Sequence, residues 1–264
     1  MVFGTVQDRM TDSFRFIGLE SQDAGMNMAI DEAIMNSRRN NKVKDTFRLY
    51  RWKPSAVSIG FFQSIADEVN LQACTNYGVE VVRRITGGGA VYHDFDGEIT
   101  YSLIAGVDNP KIPTDILKSY EVLCEGLVLG LKNLGLSARF HPVNDILVDG
   151  KKISGNAQTR KNGIILQHGT LLIDVNVDKM FELLKVTDEK LRDKAIKGVK
   201  ERVTSVNLEI GKLSMEKVAL SIREGFSTSL GVQFEEGHLE DEEVQFAKNV
   251  REEKYLSKEW TFQR

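Results

Sequence analysis

One stretch decides the fold, and it reads Arg83-Arg84-Ile85-Thr86-Gly87-Gly88-Gly89-Ala90-Val91-Tyr92-His93-Asp94. Upstream of it, Val79, Val81 and Val82 favour a strand, so the paired arginines stand at a strand end. The consecutive glycines permit positive φ angles and allow a ligand to lie against the backbone. The stretch lacks the spacing of a dinucleotide fingerprint and the Gly-Lys-Ser/Thr end of a P-loop. We interpret it as a binding loop that ends on two polar side chains.

The composition is that of an ordinary globular protein. With 264 residues, 41% of them hydrophobic and 28% charged, the chain is long enough for a sizeable core. A formal net charge of −3 argues against nucleic acid as a partner. The sequence shows no transmembrane run and no signal peptide. The two cysteines, Cys74 and Cys124, give at most one disulfide and no metal cluster. We therefore predict a cytoplasmic protein that binds neither membrane nor nucleic acid.

Periodicity places strands and helices on both sides of the binding loop. Strands are predicted at 47–52, 56–62 and 98–104, and helices at about 26–34, 68–77, 120–134, 178–184, 214–230 and 239–253. Within the 120–134 helix, Gly126 and Gly130 lower the helix propensity and indicate close packing against another backbone. No internal repeat or low-complexity linker interrupts the pattern, so we predict a single domain over residues 1–264.

A second informative stretch covers residues 144–174. Asp149-Gly150 and Asn162-Gly163 are two-residue hairpin signals between β-like runs. The region is therefore predicted as a three-stranded antiparallel meander. With 149–150 as the first turn, Lys152 and Asp145 project from the same face.

The strand register alone does not show whether this face carries a functional site. Lys152 and Asp145 form either a solvated edge pair or part of a site. The same register puts His168 on the opposite face, unless a bulge near Gly155 turns it round. The sequence does not decide between these arrangements.

Three motifs resemble those of the lipoate–protein ligases, a family that shares its catalytic fold with biotin–protein ligases. The first is the stretch 83–94, and the second is Asn144-Asp145 followed by residues 150–155 and 168–170. The third is the segment from Lys194 to Arg202. The likeness covers most of residues 20–205. It implies an α/β fold of the α+β type, with a mixed, largely antiparallel sheet flanked by helices. Ligases of this family commonly continue into a smaller accessory C-terminal domain, which we expect to be absent from this chain.

The resemblance implies an ATP-dependent ligase. Such an enzyme activates lipoate with ATP and Mg²⁺ to lipoyl-AMP and transfers the lipoyl group to a lysine of lipoyl carrier domains, namely 2-oxoacid dehydrogenase E2 subunits and the glycine cleavage H protein. Lys152 is the implied catalytic residue, because a fixed ammonium stabilises the negative charge that develops during adenylation. Asp145 is the implied Mg²⁺ ligand. The implied substrate- and ATP-binding residues are Arg84, Thr86, Gly87, Gly88, Gly89, Val91, His93, Asn144, Asp145, Ala157, His168, Lys194 and Lys197.

The alternative is a transferase of the same fold that moves an octanoyl or lipoyl group between carriers through a cysteine thioester. No cysteine stands in residues 137–142, where cysteine-bearing relatives align, and neither Cys74 nor Cys124 is a convincing nucleophile. A non-catalytic binding module is disfavoured because Lys152 and Asp145 are both present. The prediction is therefore the ligase. Because some relatives carry the accessory domain as a separate protein, we also expect a small accessory subunit that orders Lys194–Arg202 over ATP.

Overall fold

The computed structural model describes residues 13–185 and 192–264. In these ranges the strands are β1 (Ser13–Gln22), β2 (Thr46–Trp52), β3 (Ala56–Ile59), β4 (Glu80–Arg83), β5 (Val91–His93), β6 (Glu98–Gly106), β7 (Ala138–His141), β8 (Asp145–Val148), β9 (Lys151–Lys161), β10 (Ile164–Leu172) and β11 (Gln233–Glu236). The helices are α1 (Ala24–Arg39), α2 (Ile65–Glu68), α3 (Leu71–Tyr77), α4 (Ile116–Asn133), α5 (Val177–Leu183), α6 (Arg192–Arg202), α7 (Val206–Ile210), α8 (Met215–Leu230), α9 (Asp241–Val250) and α10 (Lys258–Thr261), with a π-helical turn at Arg251–Tyr255.

The strands form a large sheet and a small one. The large sheet has the order β11-β1-β2-β6-β10-β9-β8-β7, and the small sheet has the order β4-β3-β5. In the large sheet β1 runs parallel to β2 and β11, and the other neighbouring pairs are antiparallel. In the small sheet β3 is parallel to β4 and antiparallel to β5. The predicted mixed, largely antiparallel sheet flanked by helices is confirmed.

Helices cover both faces of the large sheet because side chains alternate along each strand. Phe47 of β2 packs against α8, with its ring centroid 4.4 Å from that of Phe226. Tyr50 and Trp52 of the same strand point the other way and join the core formed with α1. In the ranges that the structure describes, no helix is long and apolar enough to cross a membrane.

Helices α4 and α8 cross with their backbones in contact. A Cβ atom on Gly225 would lie 2.3 Å from the carbonyl oxygen of Gly126 and 2.3 Å from the amide nitrogen of Gly130. The predicted close packing at Gly126 and Gly130 is confirmed, and Gly225 completes it from the opposite helix.

Gly225→Ala should destabilise the protein by about 1–3 kcal/mol, because overpacking forces the two backbones apart. Urea unfolding followed by circular dichroism measures the change. Gly198→Ala in α6 is the matched control, since its added Cβ would meet only the movable end of the Arg202 side chain, at 3.2 Å. An unfolding free energy of Gly225→Ala equal to that of the parent would contradict the close crossing.

Three predicted elements have different bounds in the structure. The helix predicted at 68–77 is split into α2 and α3, since Val69 is extended (φ −122°, ψ 133°) and the Asn70 side chain caps α3. The strand predicted at 56–62 ends at Ile59. The helix predicted at 239–253 is α-helical only to Val250 and then continues as the π-helical turn.

The predicted meander of β8, β9 and β10 is confirmed, with one correction to its register. Leu147 faces Lys152 as predicted, but the next pair is Ile146 with Ser154. Ile153 is therefore an extra residue on β9, which makes a β-bulge. Predicted pairs beyond this point are wrong by one residue.

Candidate functional site

A cavity of about 400 Å³ lies between the small sheet and the α1 face of the large sheet. Its volume is within the range of small-molecule sites in proteins. Most of the predicted site residues line it, namely Arg84, Gly88, Gly89, Val91, His93, Asn144, Lys152, Ala157 and His168. The cavity is therefore where the first two motifs meet.

The solvent-exposed end of the cavity carries an ion pair. Lys152 Nζ lies 2.7 Å from Asp145 Oδ1, and the two side chains are 42% and 29% exposed. The lysine has this space because a Cβ atom on Gly155 would lie only 2.9 Å from its Nζ. Its backbone carbonyl accepts a hydrogen bond from Thr204 N at 2.8 Å, which ties it to the segment after α6. An exposed pair contributes little to stability, so its placement at the cavity mouth is what matters.

The closed end of the cavity is a chain of buried polar groups. Ser58 Oγ lies 2.8 Å from His93 Nε2, and His93 Nδ1 lies 2.7 Å from Glu98 Oε1. Trp52 stacks on the His93 ring with centroids 4.0 Å apart, and its indole N–H donates to Thr100 Oγ1 at 2.8 Å. These five residues are 1–4% exposed. The cavity is thus open and charged at one end and sealed at the other.

Arg84 shapes the glycine loop from inside the cavity wall. Its Nε donates to Thr86 Oγ1, Nη1 to the backbone and side-chain oxygens of Ser58, and Nη2 to the carbonyls of Gly87 and Gly89. Each of its five N–H groups therefore has an acceptor within the protein. Burial lowers the pKa of Arg84 to about 10, so it remains charged at neutral pH. Arg84 therefore holds the loop, and its predicted role in holding ligand oxygens stays a prediction.

Glycine is required at two positions of this loop region. Gly88 has φ +97°, a conformation that side chains rarely adopt, and it lines the cavity. A Cβ atom on Gly60 would lie 2.0 Å from the Gly88 carbonyl oxygen. Only glycine at position 60 therefore allows the chain after β3 to approach the loop this closely. Gly87 does not line the cavity and has no such close neighbour. Its backbone carbonyl serves as an acceptor for Arg84.

His168 reaches the cavity, which answers the question that the sequence leaves open. The bulge at Ile153 brings β9 and β10 into a register in which His168 and Lys152 line the same cavity. His168 Nε2 lies 2.7 Å from Thr86 Oγ1, and Nδ1 lies 3.4 Å from Asp31 Oδ2. Burial lowers the pKa of His168, so the imidazole is neutral at pH 7. Thr86 is fully buried and supports His168 without lining the cavity.

Two positioning residues escape the sequence analysis. Asp31 falls among the polar positions of the predicted first helix, yet it is buried, with Oδ1 3.1 Å from Arg48 Nη1 and 2.8 Å from Ser102 Oγ. Asn156 lines the cavity, and its Nδ2 donates to the carbonyl of Asn144 at 2.9 Å. Its Oδ1 accepts from Tyr101 at 2.7 Å. A lone buried polar residue leaves no periodic signal, so the pattern does not reveal either role.

In the third motif, two valines rather than the predicted lysines line the cavity, and the binding role of Lys194 and Lys197 stays a prediction. Lys194 and Lys197 are exposed on α6 and do not line the cavity, whereas Val199 and Val203 do. Lys197 is two positions from Val199, and residues at that spacing do not share a helix face. The segment therefore presents an apolar wall to the cavity and its lysines to solvent.

Neither cysteine lines the cavity. Cys74 packs beneath the small sheet, and Cys124 lies in the core on α4, with Sγ 3.8 Å from Gln167 Nε2. Burial raises the pKa of Cys74 to about 11 and that of Cys124 to about 12. The thiolate is the nucleophilic form, so both thiols are unreactive at physiological pH.

A thiol reagent added to the native protein at pH 8 is expected to label neither cysteine. Both thiols stay protonated well above that pH, because their folded-state pKa values lie above the usual range. Mass spectrometry counts the labels, and a sample unfolded in guanidinium should take two. Rapid single labelling of the native protein would contradict this burial.

The arrangement defines a class of site. A cavity with apolar walls, a sealed end and an ammonium at its mouth suits a ligand with an apolar chain and a polar, reactive head. The fold and this cavity define a small-molecule site with an apolar interior and a charged entrance.

Comparison with known proteins gives the family. A family model described as the lipoyl protein ligase A/B catalytic domain matches residues 23–227, and the chain belongs to this family. Among solved structures, an archaeal bi-partite lipoate protein ligase from Thermoplasma acidophilum, described with its E2 lipoyl domain, has a TM-score of 0.85 and 33% identity. The match covers 95% of this chain and 96% of that one.

Curated relatives correct the predicted reaction. The chain is 37% identical over 273 residues to Octanoyltransferase LipM of Clostridioides difficile (strain 630), covering 96% of this chain and 100% of that protein. It is 34% identical over 277 residues to Octanoyltransferase LipM of Bacillus subtilis (strain 168), covering 96% of this chain and 99% of that protein. The predicted ATP-dependent, adenylate-forming ligase is contradicted by these relatives, and the alternative, a transferase, is favoured.

The predicted cofactors are contradicted together with the ligase activity. ATP and Mg²⁺ as cofactors, lipoyl-AMP as the intermediate and Asp145 as a Mg²⁺ ligand all depended on adenylation. In the structure the Asp145 carboxylate is paired with Lys152 instead. The predicted resemblance to the lipoate–protein ligases is confirmed for the family and the fold. The predicted reaction is wrong.

Proposed function

We propose that the protein is an octanoyltransferase that moves an octanoyl group from a carrier thioester to a lysine of a lipoyl carrier domain. The observation that carries the proposal is the near full-length match to proteins named octanoyltransferase. The cavity supports it, because its apolar walls and sealed inner end suit a medium acyl chain. The reaction exchanges one acyl bond for another and requires no nucleotide.

The site residues take roles along the acyl chain. The acyl carbonyl lies at the mouth beside Lys152, because an acceptor lysine on another protein can approach only from solvent. The chain runs inward past Val91 and Ala157 toward His93. Arg84 and Gly88 hold the loop that forms one wall, and His168 and Asn144 form the other side. Lys152 stabilises the negative charge that develops on the carbonyl oxygen.

The proposed reaction determines which carrier proteins the enzyme must bind. The proposed acceptors are E2 lipoyl domains and the glycine cleavage H protein, and the solved relative described with its E2 lipoyl domain supports the first. A small accessory subunit stays a prediction. Its expected task, the ordering of Lys194–Arg202 over ATP, no longer applies because the proposed reaction uses no ATP. A cytoplasmic location and a single catalytic domain over residues 1–264 also stay predictions.

An acyl-transfer assay without nucleotide tests the proposal. The purified chain is mixed with octanoyl acyl carrier protein and an E2 lipoyl domain, and intact mass reports octanoylation of the lipoyl domain. We expect one octanoyl group per lipoyl domain, and none when the acceptor lysine is replaced by arginine. An unmodified lipoyl domain under these conditions would contradict the proposed function.

A further inference from the structure

We infer that Arg83 is a positioning residue for the acyl site, and that it acts by tying residues 257–264 to the glycine loop. Arg83 directly precedes Arg84, yet the two side chains have different surroundings, since Arg84 lines the cavity and Arg83 does not. The inference rests on the proposed function and goes beyond it, because it makes a segment far from the cavity mouth part of the support of the cavity wall.

The Arg83 guanidinium bridges two segments of the chain. The side chain is fully buried, and within the residues that the structure describes its acceptors are all backbone carbonyls. A buried charge needs such compensation, and the planar fork of arginine can hold several acceptors in a fixed relation. The acceptors lie at 2.7–3.3 Å, with Gly60, Phe61 and Gln63 on one segment and Trp260 and Thr261 on the other.

The first of these segments, the turn after β3, supports the glycine loop. Phe61 N donates to the carbonyl of Thr86 at 2.9 Å. At Gly60 the turn approaches the Gly88 carbonyl so closely that a Cβ atom would overlap it. The turn and the loop are therefore in backbone contact, and a shift of the turn moves the part of the cavity wall that Gly88 forms.

The second segment has contacts of its own with the same region. Trp260 Nε1 donates to the backbone carbonyl of Arg83 at 2.8 Å, and the Trp260 ring lies against that of Phe61 with centroids 5.7 Å apart. The backbone carbonyl of Arg264 accepts from Ile65 N at 3.3 Å. If this segment were displaced, Nε and Nη2 of the buried guanidinium would lose acceptors, which is costly for a charged donor. The positions of the segment and of the loop therefore depend on each other.

Hydrogen exchange of backbone amides tests this coupling without any substrate. Arg83→Lys keeps the charge, but its single nitrogen cannot hold both segments. Trp260→Phe keeps a ring against Phe61 and removes only the donor to the Arg83 carbonyl. Exchange at the Phe61 and Arg84 amides should rise more than exchange in the β9–β10 ladder, by about tenfold for Arg83→Lys and about threefold for Trp260→Phe. Global destabilisation alone would not produce such a local excess.

Transfer kinetics connect the coupling to the acyl site. Arg83→Lys should raise the KM for octanoyl acyl carrier protein by about threefold or more and leave kcat within about twofold, because Lys152 and Asp145 at the mouth are untouched. Arg15→Lys is the matched control, since Arg15 is also buried and pairs with Glu243 at 2.7 Å, but does not line the cavity. It should lower the melting temperature without changing the KM or producing a local excess of exchange.

The outcomes separate this inference from the proposed function. Parent-like loop exchange or a parent-like KM in folded Arg83→Lys would overturn the inference, and so would equal changes in Arg15→Lys. If Arg83→Lys fails a thermal melt, Trp260→Phe gives the same comparison. If the parent protein transfers no octanoyl group, the proposed function fails, while the exchange comparison still tests the coupling because it requires no substrate.

Discussion

Replacement of Lys152 by alanine is expected to lower the transfer rate by about 10²–10³-fold, the effect of removing one preorganised donor to a developing oxyanion. The ammonium stands at the cavity mouth and is held there by Asp145 at 2.7 Å. Because the side chain is part-exposed, its removal leaves no cavity in the core, and the melting temperature should be unchanged. Initial rates of lipoyl-domain octanoylation measure the effect.

Lys151→Ala is the matched control for Lys152→Ala. Lys151 is the neighbouring lysine on β9, is exposed and does not line the cavity. Both variants lose one positive charge near the mouth, so a general electrostatic attraction of acidic carriers would affect them alike. We expect Lys151→Ala to retain the parent rate within about twofold. Equal losses in the two variants would contradict a specific role for Lys152.

Gly88→Val is expected to raise the KM for the octanoyl donor by about tenfold or more, because a left-handed φ is costly for a β-branched residue, at about 1–2 kcal/mol or above. Gly88 has φ +97°, and an added Cβ would lie 2.9 Å from Arg84 Nη2. The loop must then move, and its carbonyls lose the guanidinium that holds them. Donor titration of the initial rate gives the KM.

Gly163→Val separates backbone strain from loss of the site. Gly163 also has a left-handed φ, +78°, but it lies in the turn between β9 and β10 and does not line the cavity. Both variants should show a lower melting temperature, whereas only Gly88→Val should change the KM. An unchanged KM for Gly88→Val would show that the triple glycine is an ordinary turn with no role in binding the donor.

Sequence patterns predicted the parts of the fold that repeat or turn sharply. The Asp149-Gly150 and Asn162-Gly163 turns predicted the meander. Gly126 and Gly130 predicted the close helix crossing. The bulge at Ile153 could not be placed, because one extra residue in a strand changes neither composition nor turn chemistry. That single residue decides whether His168 reaches the cavity.

The site was predicted better at its mouth than at its closed end. Lys152 and Asp145 flank a hairpin whose turn is readable, so their shared face follows from the turn, although the bulge at Ile153 shifts the pairing of Asp145 by one residue. Asp31 supports His168 from α1, and Glu98 supports His93 from β6, through contacts that depend on packing between distant elements. Propensity and periodicity carry no information about such contacts.

The reaction could not be read from the motifs, for a physical reason. A ligase and a transferase of this family both need a loop that admits an acyl chain and a cation beside its carbonyl, and these are the features that residues 83–94 and Lys152 supply. Fold and binding groove therefore leave the activated donor undefined. The absence of a well-placed cysteine favoured the ligase in the sequence analysis, whereas the curated relatives favour the transferase.

A competition between two labelled donors tests the central claim most directly. One reaction contains the chain, an E2 lipoyl domain, octanoyl acyl carrier protein with a ¹³C-labelled acyl group, and deuterated free octanoate with ATP and Mg²⁺. Mass spectrometry of the modified lipoyl domain identifies the source of the octanoyl group. We expect the ¹³C label alone, at a rate unchanged when ATP is omitted. Deuterated octanoyl on the lipoyl domain that disappears without ATP would contradict the account.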